Sequence, residues 1–123
     1  MLAFLAAAPL LVRLRPATLE WVLEPRRPRA GGLREREVAA HVEAVLALTG
    51  RLAPANCLTR GLTRYYFLRR AGVPLTLCFG VAWLDGEFAG HCWLLRGGEP
   101  FLESRDPRRV FAETYRIPAT TAR

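Results

Sequence analysis

"PLTLCFGVAWLDGEFAGHCWLL", residues 74–95, holds two apolar runs joined by Asp85-Gly86. That dipeptide between apolar runs is a strong short-range hairpin signal, because both central residues of the tight turn need positive φ. Taken as a two-residue turn, it sets Leu84 opposite Glu87, Ala82 opposite Ala89, Gly80 opposite His91 and Cys78 opposite Trp93. Side chains alternate across a sheet. One face therefore carries Cys78, Gly80, Ala82, Ala89, His91 and Trp93. The other carries Leu77, Phe79, Val81, Trp83, Phe88, Cys92 and Leu94, and is bulky throughout. The first face is small around His91, where Gly80 leaves room over the imidazole.

Just upstream lies "PANCLTRGLTRYYFLRR", residues 54–70. It predicts a helix starting at Asn56 or Cys57, with Asn56 suited to cap exposed amides, and ending near Ala71 before Gly72 and Pro74. Leu58, Leu62, Tyr65 and Leu68 mark its buried stripe; Arg60, Arg64, Arg69 and Arg70 face outward. Gly61 within a helix costs about 1 kcal/mol relative to alanine, so it points to close approach of another backbone. Further upstream, Val38, Val42, Val45 and Leu46 recur at helical spacing between Arg34 and Leu48, with His41 on the same side as a core or boundary residue. Gly50 ends that helix. Residues 2–23 read as helical, divided by Pro9 and Pro16, and residues 24–32 as a loop.

Downstream, a third strand follows Gly97-Gly98 and includes Phe101 and Glu103. The remaining residues give a loop, a short helical turn near Val110–Tyr115 and a frayed tail. The reading is an α+β fold in a single domain over 1–123: a helical N-terminal region, 1–49, and a core, 50–118, in which a helix packs on an antiparallel sheet of three or more strands.

Composition narrows the function classes. The chain has 123 residues, 51% of them hydrophobic, enough for one core. Its formal charge is +7, and all 18 basic residues are arginine. They are scattered, with small groups at Arg26, Arg27 and Arg29 and at Arg69 and Arg70, and form no sustained basic stripe with interleaved aromatics. Nucleic-acid binding is disfavoured on that ground. Three cysteines, Cys57, Cys78 and Cys92, do not form a disulfide framework and fit a reducing cytoplasm. Cys78, His91 and Cys92 lack metal-ligand spacing, so neither a metal nor another cofactor is expected. The apolar opening, "MLAFLAAAPLLVRLRP", is too short to span a bilayer and has no basic segment before it, which disfavours a secretory signal. A helix packed on the domain explains it, with loose membrane-surface attachment through Arg13 and Arg15 as the minor alternative.

Chemistry converges on Cys57 and His91. A thiol at a helix start faces the positive end of the helix dipole, which favours the thiolate. An imidazole on the roomy face of a hairpin can take up its proton, and a carboxylate on the next strand can orient that imidazole. Cysteine, histidine and acid in this order follow the logic of an activated thiol nucleophile.

These residues carry a family resemblance. "NCLTRGLTRYYFLRRAGVPLTLCFGV" followed by "FAGHCWLL" resembles the transglutaminase-like cysteine protease domain of lasso-peptide maturation proteins, the B2 or leader-peptidase component. The matching features are Cys57-Leu58-Thr59-Arg60 opening a helix, Arg69-Arg70-Ala71-Gly72-Val73-Pro74 leaving it, Gly80-Val81 on a strand, and His91-Cys92-Trp93. The resemblance covers roughly residues 50–104 and departs at Cys92 and Leu95, where family members often carry alanine and an acidic residue.

The resemblance implies a transglutaminase/papain-like core and a cysteine peptidase of the bacterial cytoplasm, removing the leader from a ribosomally made precursor peptide. Cys57 would be the nucleophile and His91 the base. The orienting acid would be Glu103, with Asp106 in reserve. A two-residue turn at Gly97-Gly98 would set Ser104 opposite His91 and send Glu103 to the wrong face; a three-residue turn including Glu99 would bring Glu103 to the His91 face. The implied partners are the precursor peptide, a separate leader-recognition protein (the chain has no room for that domain) and a lasso cyclase. The sequence has no glutamine to serve as oxyanion donor, which leaves the backbone amide of Cys57. Acyl transfer to an amine on the same site, or a peptide-binding scaffold that kept the fold, are the alternatives.

Overall fold

The computed structural model describes residues 16–24, 32–52 and 57–118, and they fall into two compact units that divide after Val73. The predicted helix before Pro16, the cap at Asn56 and the tail beyond Pro118 lie outside the described residues.

The first unit is helical. Helix α1, Pro16–Leu23, begins on a proline, whose missing N–H is no loss in a first turn. Helix α2 is Gly32–Leu52 and helix α3 is Cys57–Arg70. Helix α2 buries Val42 and Leu46, and α3 buries Leu62, Tyr65 and Leu68 together with Gly61. Burying the Thr63 hydroxyl is tolerated because it donates to the Thr59 carbonyl at 2.7 Å.

Arginines tie the three helices. Arg64 donates to Glu43 through Nε at 2.6 Å and through Nη2 at 3.0 Å, joining α3 to α2. Arg69 donates to Glu24 at 2.8 Å, and Arg70 to the Leu23 carbonyl at 3.2 Å, one of the α1 end carbonyls with no partner in its own helix. Helix α3 closes in a glycine cap. Gly72 has φ 95°, its N–H donates to the Arg69 carbonyl at 3.1 Å, and the Val73 N–H reaches the Leu68 carbonyl at 3.0 Å.

Two expectations for this unit are corrected. Helix α2 runs through Gly50 to Leu52 instead of stopping there, and His41 is exposed, not on the buried stripe. The stripe that α2 buries is narrower than the apolar spacing implied.

The second unit is an antiparallel sheet of order β3-β2-β1-β4. Strand β1 is Leu75–Leu84, β2 Glu87–Arg96, β3 Glu99–Phe101 and β4 Ala112–Ile117. The β1–β2 register is the expected one, including Gly80 opposite His91 and Cys78 opposite Trp93. Asp85 and Gly86, at φ 51° and 79°, form the turn. Cys78, Trp93, Leu95 and Phe111 pack together on one face; Leu77, Cys92, Leu94 and Ile117 are buried on the other. At the tip, Trp83 and Phe88 are exposed and meet edge to face at 5.6 Å.

Strand β4 replaces the helical turn expected near 110–115. Only Pro107–Arg109 form a single 3₁₀ turn. Beyond it the chain takes the free edge of β1, with Leu77 opposite Ile117 and Gly80 opposite Glu113. Ladder pairing offers this run of aromatic and β-branched residues a partner for every second backbone group, which an isolated helical turn does not. The register shifts between Phe79 and Gly80, and Thr114, the extra residue, donates its hydroxyl to the Phe79 carbonyl at 3.3 Å.

Candidate active site

Cys57 is the first residue of α3, partly buried, and it belongs to the helical unit. None of the three cysteines is in a disulfide. Cys78 is fully buried; that burial, and then a hydrogen bond to the Glu113 carboxylate, push its thiol up to about 12. Cys92 is buried on the opposite face of the sheet from Cys78 and His91. Among the described residues no three His, Cys, Asp or Glu side chains are grouped as metal ligands would be.

His91 sits in the middle of β2 in the sheet unit. Its Nε2 lies 3.4 Å from Glu103 Oε1, long for a neutral hydrogen bond but within ion-pair reach. Both side chains keep about a quarter of their surface open, 25% and 24%. The imidazole belongs to a triangle of rings: Phe111 lies at 5.1 Å, tilted by 32°, Trp93 at 6.1 Å, nearly parallel at 22°, and the two are 6.4 Å from each other.

The way Glu103 arrives differs from expectation. The Gly97-Gly98 turn is the two-residue one, with Arg96 opposite Glu99 and both glycines at positive φ, 59° and 80°. Continued pairing would have put Glu103 on the Cys92 face. Instead β3 stops at Phe101, and Leu102 adopts φ 58°. This single left-handed residue supplies the reversal that a third turn residue had been expected to supply, and Glu103 comes round to His91. Glu103 is accordingly a loop residue and not part of the third strand.

The room beside Gly80 is also filled differently. A Cβ there would lie 2.7 Å from Cη2 and 2.8 Å from Cζ3 of Trp93, and 2.9 Å from the Ala112 carbonyl oxygen. Gly80 makes way for the Trp93 indole and for β4, and no empty pocket remains at that point. Asp106 does not face the imidazole. It caps the 3₁₀ turn and takes the Arg108 guanidinium, through Nε to Oδ1 at 3.0 Å and Nη2 to Oδ2 at 2.9 Å. Hydrogen bonding to Arg108 holds its carboxyl below the usual carboxylate range.

Sequence reasoning did not find Phe111 beside the imidazole or Arg108 beside the acids. The β-forming run Val110–Ile117 was a signal for the first; nothing distinguishes Arg108 among so many arginines.

Residues 1–116 match the Transglutaminase-like superfamily. The chain belongs to that superfamily. Members of the transglutaminase-like superfamily include cysteine peptidases and acyltransferases, and their catalysis generally depends on a cysteine. The three helices and four-stranded antiparallel sheet described here give this transglutaminase-like chain the α+β fold expected of it. No curated protein and no solved structure matches it. Among the described residues, no helix is long and apolar enough to cross a membrane.

Proposed function

We propose that the chain is a cysteine peptidase in which Cys57 is the nucleophile, His91 the base and Glu103 the acid that orients it. The observation that carries this is the approach of Glu103 to Nε2 of His91. A carboxylate on Nε2 keeps the proton at that nitrogen and leaves Nδ1 to accept one from a thiol.

The chemistry follows. The Cys57 thiol gives its proton to Nδ1, and the thiolate attacks the scissile carbonyl carbon. The backbone N–H of Cys57 donates to the resulting oxyanion. Collapse breaks the C–N bond, and the Nδ1 proton goes to the leaving amine. Water, deprotonated by the same nitrogen, then hydrolyses the thioester and regenerates the thiol. The substrate we propose is a ribosomally made precursor peptide whose leader is removed, as in lasso-peptide maturation. A separate leader-recognition protein would present it, a cyclase would take the product, and the setting would be the bacterial cytoplasm. The net charge of +7 suits an acidic leader.

The test is mass spectrometry of candidate precursors, from short reading frames beside this gene, incubated with the chain and the neighbouring recognition protein. Cys57→Ala should abolish leader removal, a loss of about 10³-fold or more, and Glu103→Gln should slow it about 10²-fold. Cleavage unchanged by Cys57→Ala refutes the assignment. Hydrolysis adds water to the acyl fragment, so a product carrying an added amine identifies an acyltransferase instead.

A further inference from the structure

Glu103 does not sit on a strand. It lies in the link between the end of β3 and the 3₁₀ turn Pro107–Arg109. An acid on a loop keeps a fixed place only if the loop itself is fixed. Leu102 makes this harder, because φ 58° is a state that side chains with a Cβ disfavour and its own side chain is 52% exposed. Such a conformation persists only where the surroundings over-determine it.

Arg108 supplies that constraint. On one side of the link, its Nη1 donates to the Gly98 carbonyl at 3.0 Å and its Nη2 to the Glu99 carboxylate at 3.3 Å. On the other, Nε and Nη2 hold the two carboxylate oxygens of Asp106 at 3.0 and 2.9 Å. The Arg108 backbone N–H donates to Asp106 Oδ1 at 3.0 Å, and Pro107 beside it is buried. One planar fork therefore joins the turn before Glu103 to the turn after it. Arginine suits this place because its five donors lie in a rigid plane, whereas lysine offers a single point of charge.

We infer that Arg108 is a positioning residue: by tying the β2–β3 turn to Asp106, it fixes the link that holds Glu103 against Nε2 of His91. The catalytic consequence rests on the peptidase reading above; the positioning itself does not. Asp106 is then the anchor of the clamp and no substitute for Glu103.

Two measurements on the full chain test this, with near-UV circular dichroism to show that each variant is folded. The first is the tautomer of His91 from its side-chain ¹⁵N shifts. Wild type should be mainly the Nε2–H form, and Arg108→Gln and Glu103→Gln should both shift it toward Nδ1–H. Arg108→Lys keeps the charge but not the fork, and should behave like Arg108→Gln. Should Arg108→Gln fail to fold, Arg108→Lys and Asp106→Asn decide in its place. The second is the rate of Cys57 alkylation by iodoacetamide, located by peptide mapping. Arg108→Gln and Glu103→Gln should each slow it about tenfold, and the double variant should be no slower than Glu103→Gln alone. An unchanged tautomer in Arg108→Gln, or full additivity in the double variant, overturns the inference. If His91→Ala leaves the alkylation rate unchanged, the peptidase reading falls, and the tautomer ratio still decides the clamp.

Discussion

Cys78 and Cys57 show how one side chain takes different chemistry from its surroundings. Cys78 is sealed in the sheet core beside Trp93 and Leu95, where burial and the Glu113 carboxylate both oppose ionisation. Cys57 opens α3 and is only partly buried. The raised Cys78 value has a definite sign in stability. The thiol ionises near 9.0 in the unfolded chain and at about 12 in the folded one. Its contribution is fully present below pH 9 and is lost as pH rises between the two values. Unfolding free energy should therefore fall on the alkaline side by up to about 1.4 kcal/mol per pH unit from this group. Tyr65, also raised by burial, adds a second decline above pH 10. Urea titrations from pH 8 to 11 check this. A Cys78→Ala variant should be less stable throughout but should fall less steeply between pH 9 and 10. An equal slope in the two proteins rules out Cys78 as the source.

Strands and turns were legible to very different degrees. The β1–β2 register could be read outright, because Asp85-Gly86 names the turn and alternation does the rest. Glu103 could be placed near His91 only by assuming the wrong turn, since the reversal lies at Leu102, a residue type that gives no warning of positive φ. Strand β4 escaped because an edge strand with a bulge has no clean alternation, and its partner is distant in sequence. Trp93 was assigned to the right face, but the filling of Gly80's space by its ring depends on a rotamer that no pattern reveals. Two left-handed positions then predict opposite responses. Gly86→Ala, at φ 79°, should cost about 1 kcal/mol, whereas Leu102→Asn, at φ 58°, should gain a few tenths to about 1 kcal/mol. Urea midpoints for both distinguish these outcomes; a destabilised Leu102→Asn means that the leucine side chain contributes more than its exposure implies.

Across the whole molecule, arginine is the recurring cross-link. The same guanidinium group ties α3 to α2 at Glu43, α3 to α1 at Glu24 and the Leu23 carbonyl, and β2–β3 to the 3₁₀ turn. Its fork reaches two acceptors at once, which explains how a basic chain without lysine can hold short helices together. The helix–helix pairs Arg64–Glu43 and Arg69–Glu24 are partly exposed, so each of these is worth little alone. A double-mutant cycle on Arg64 and Glu43 should give a coupling of about 0.5–1 kcal/mol that shrinks with added salt. A coupling insensitive to salt points to packing of the arginine stem instead. Superfamily membership and the helix–hairpin order were readable at this scale because they rest on motifs. The Glu103 loop was not, because it rests on one constrained leucine and one arginine.

The stacking of Trp93 on His91 also has an optical consequence. Of the three indoles, Trp21 and Trp83 are 69% and 73% exposed and emit toward the red, while Trp93 at 1% emits toward the blue. A protonated imidazole 6.1 Å away quenches an indole more than a neutral one does. The short-wavelength part of the chain's fluorescence is thus a built-in gauge of the charge on His91, readable without any label.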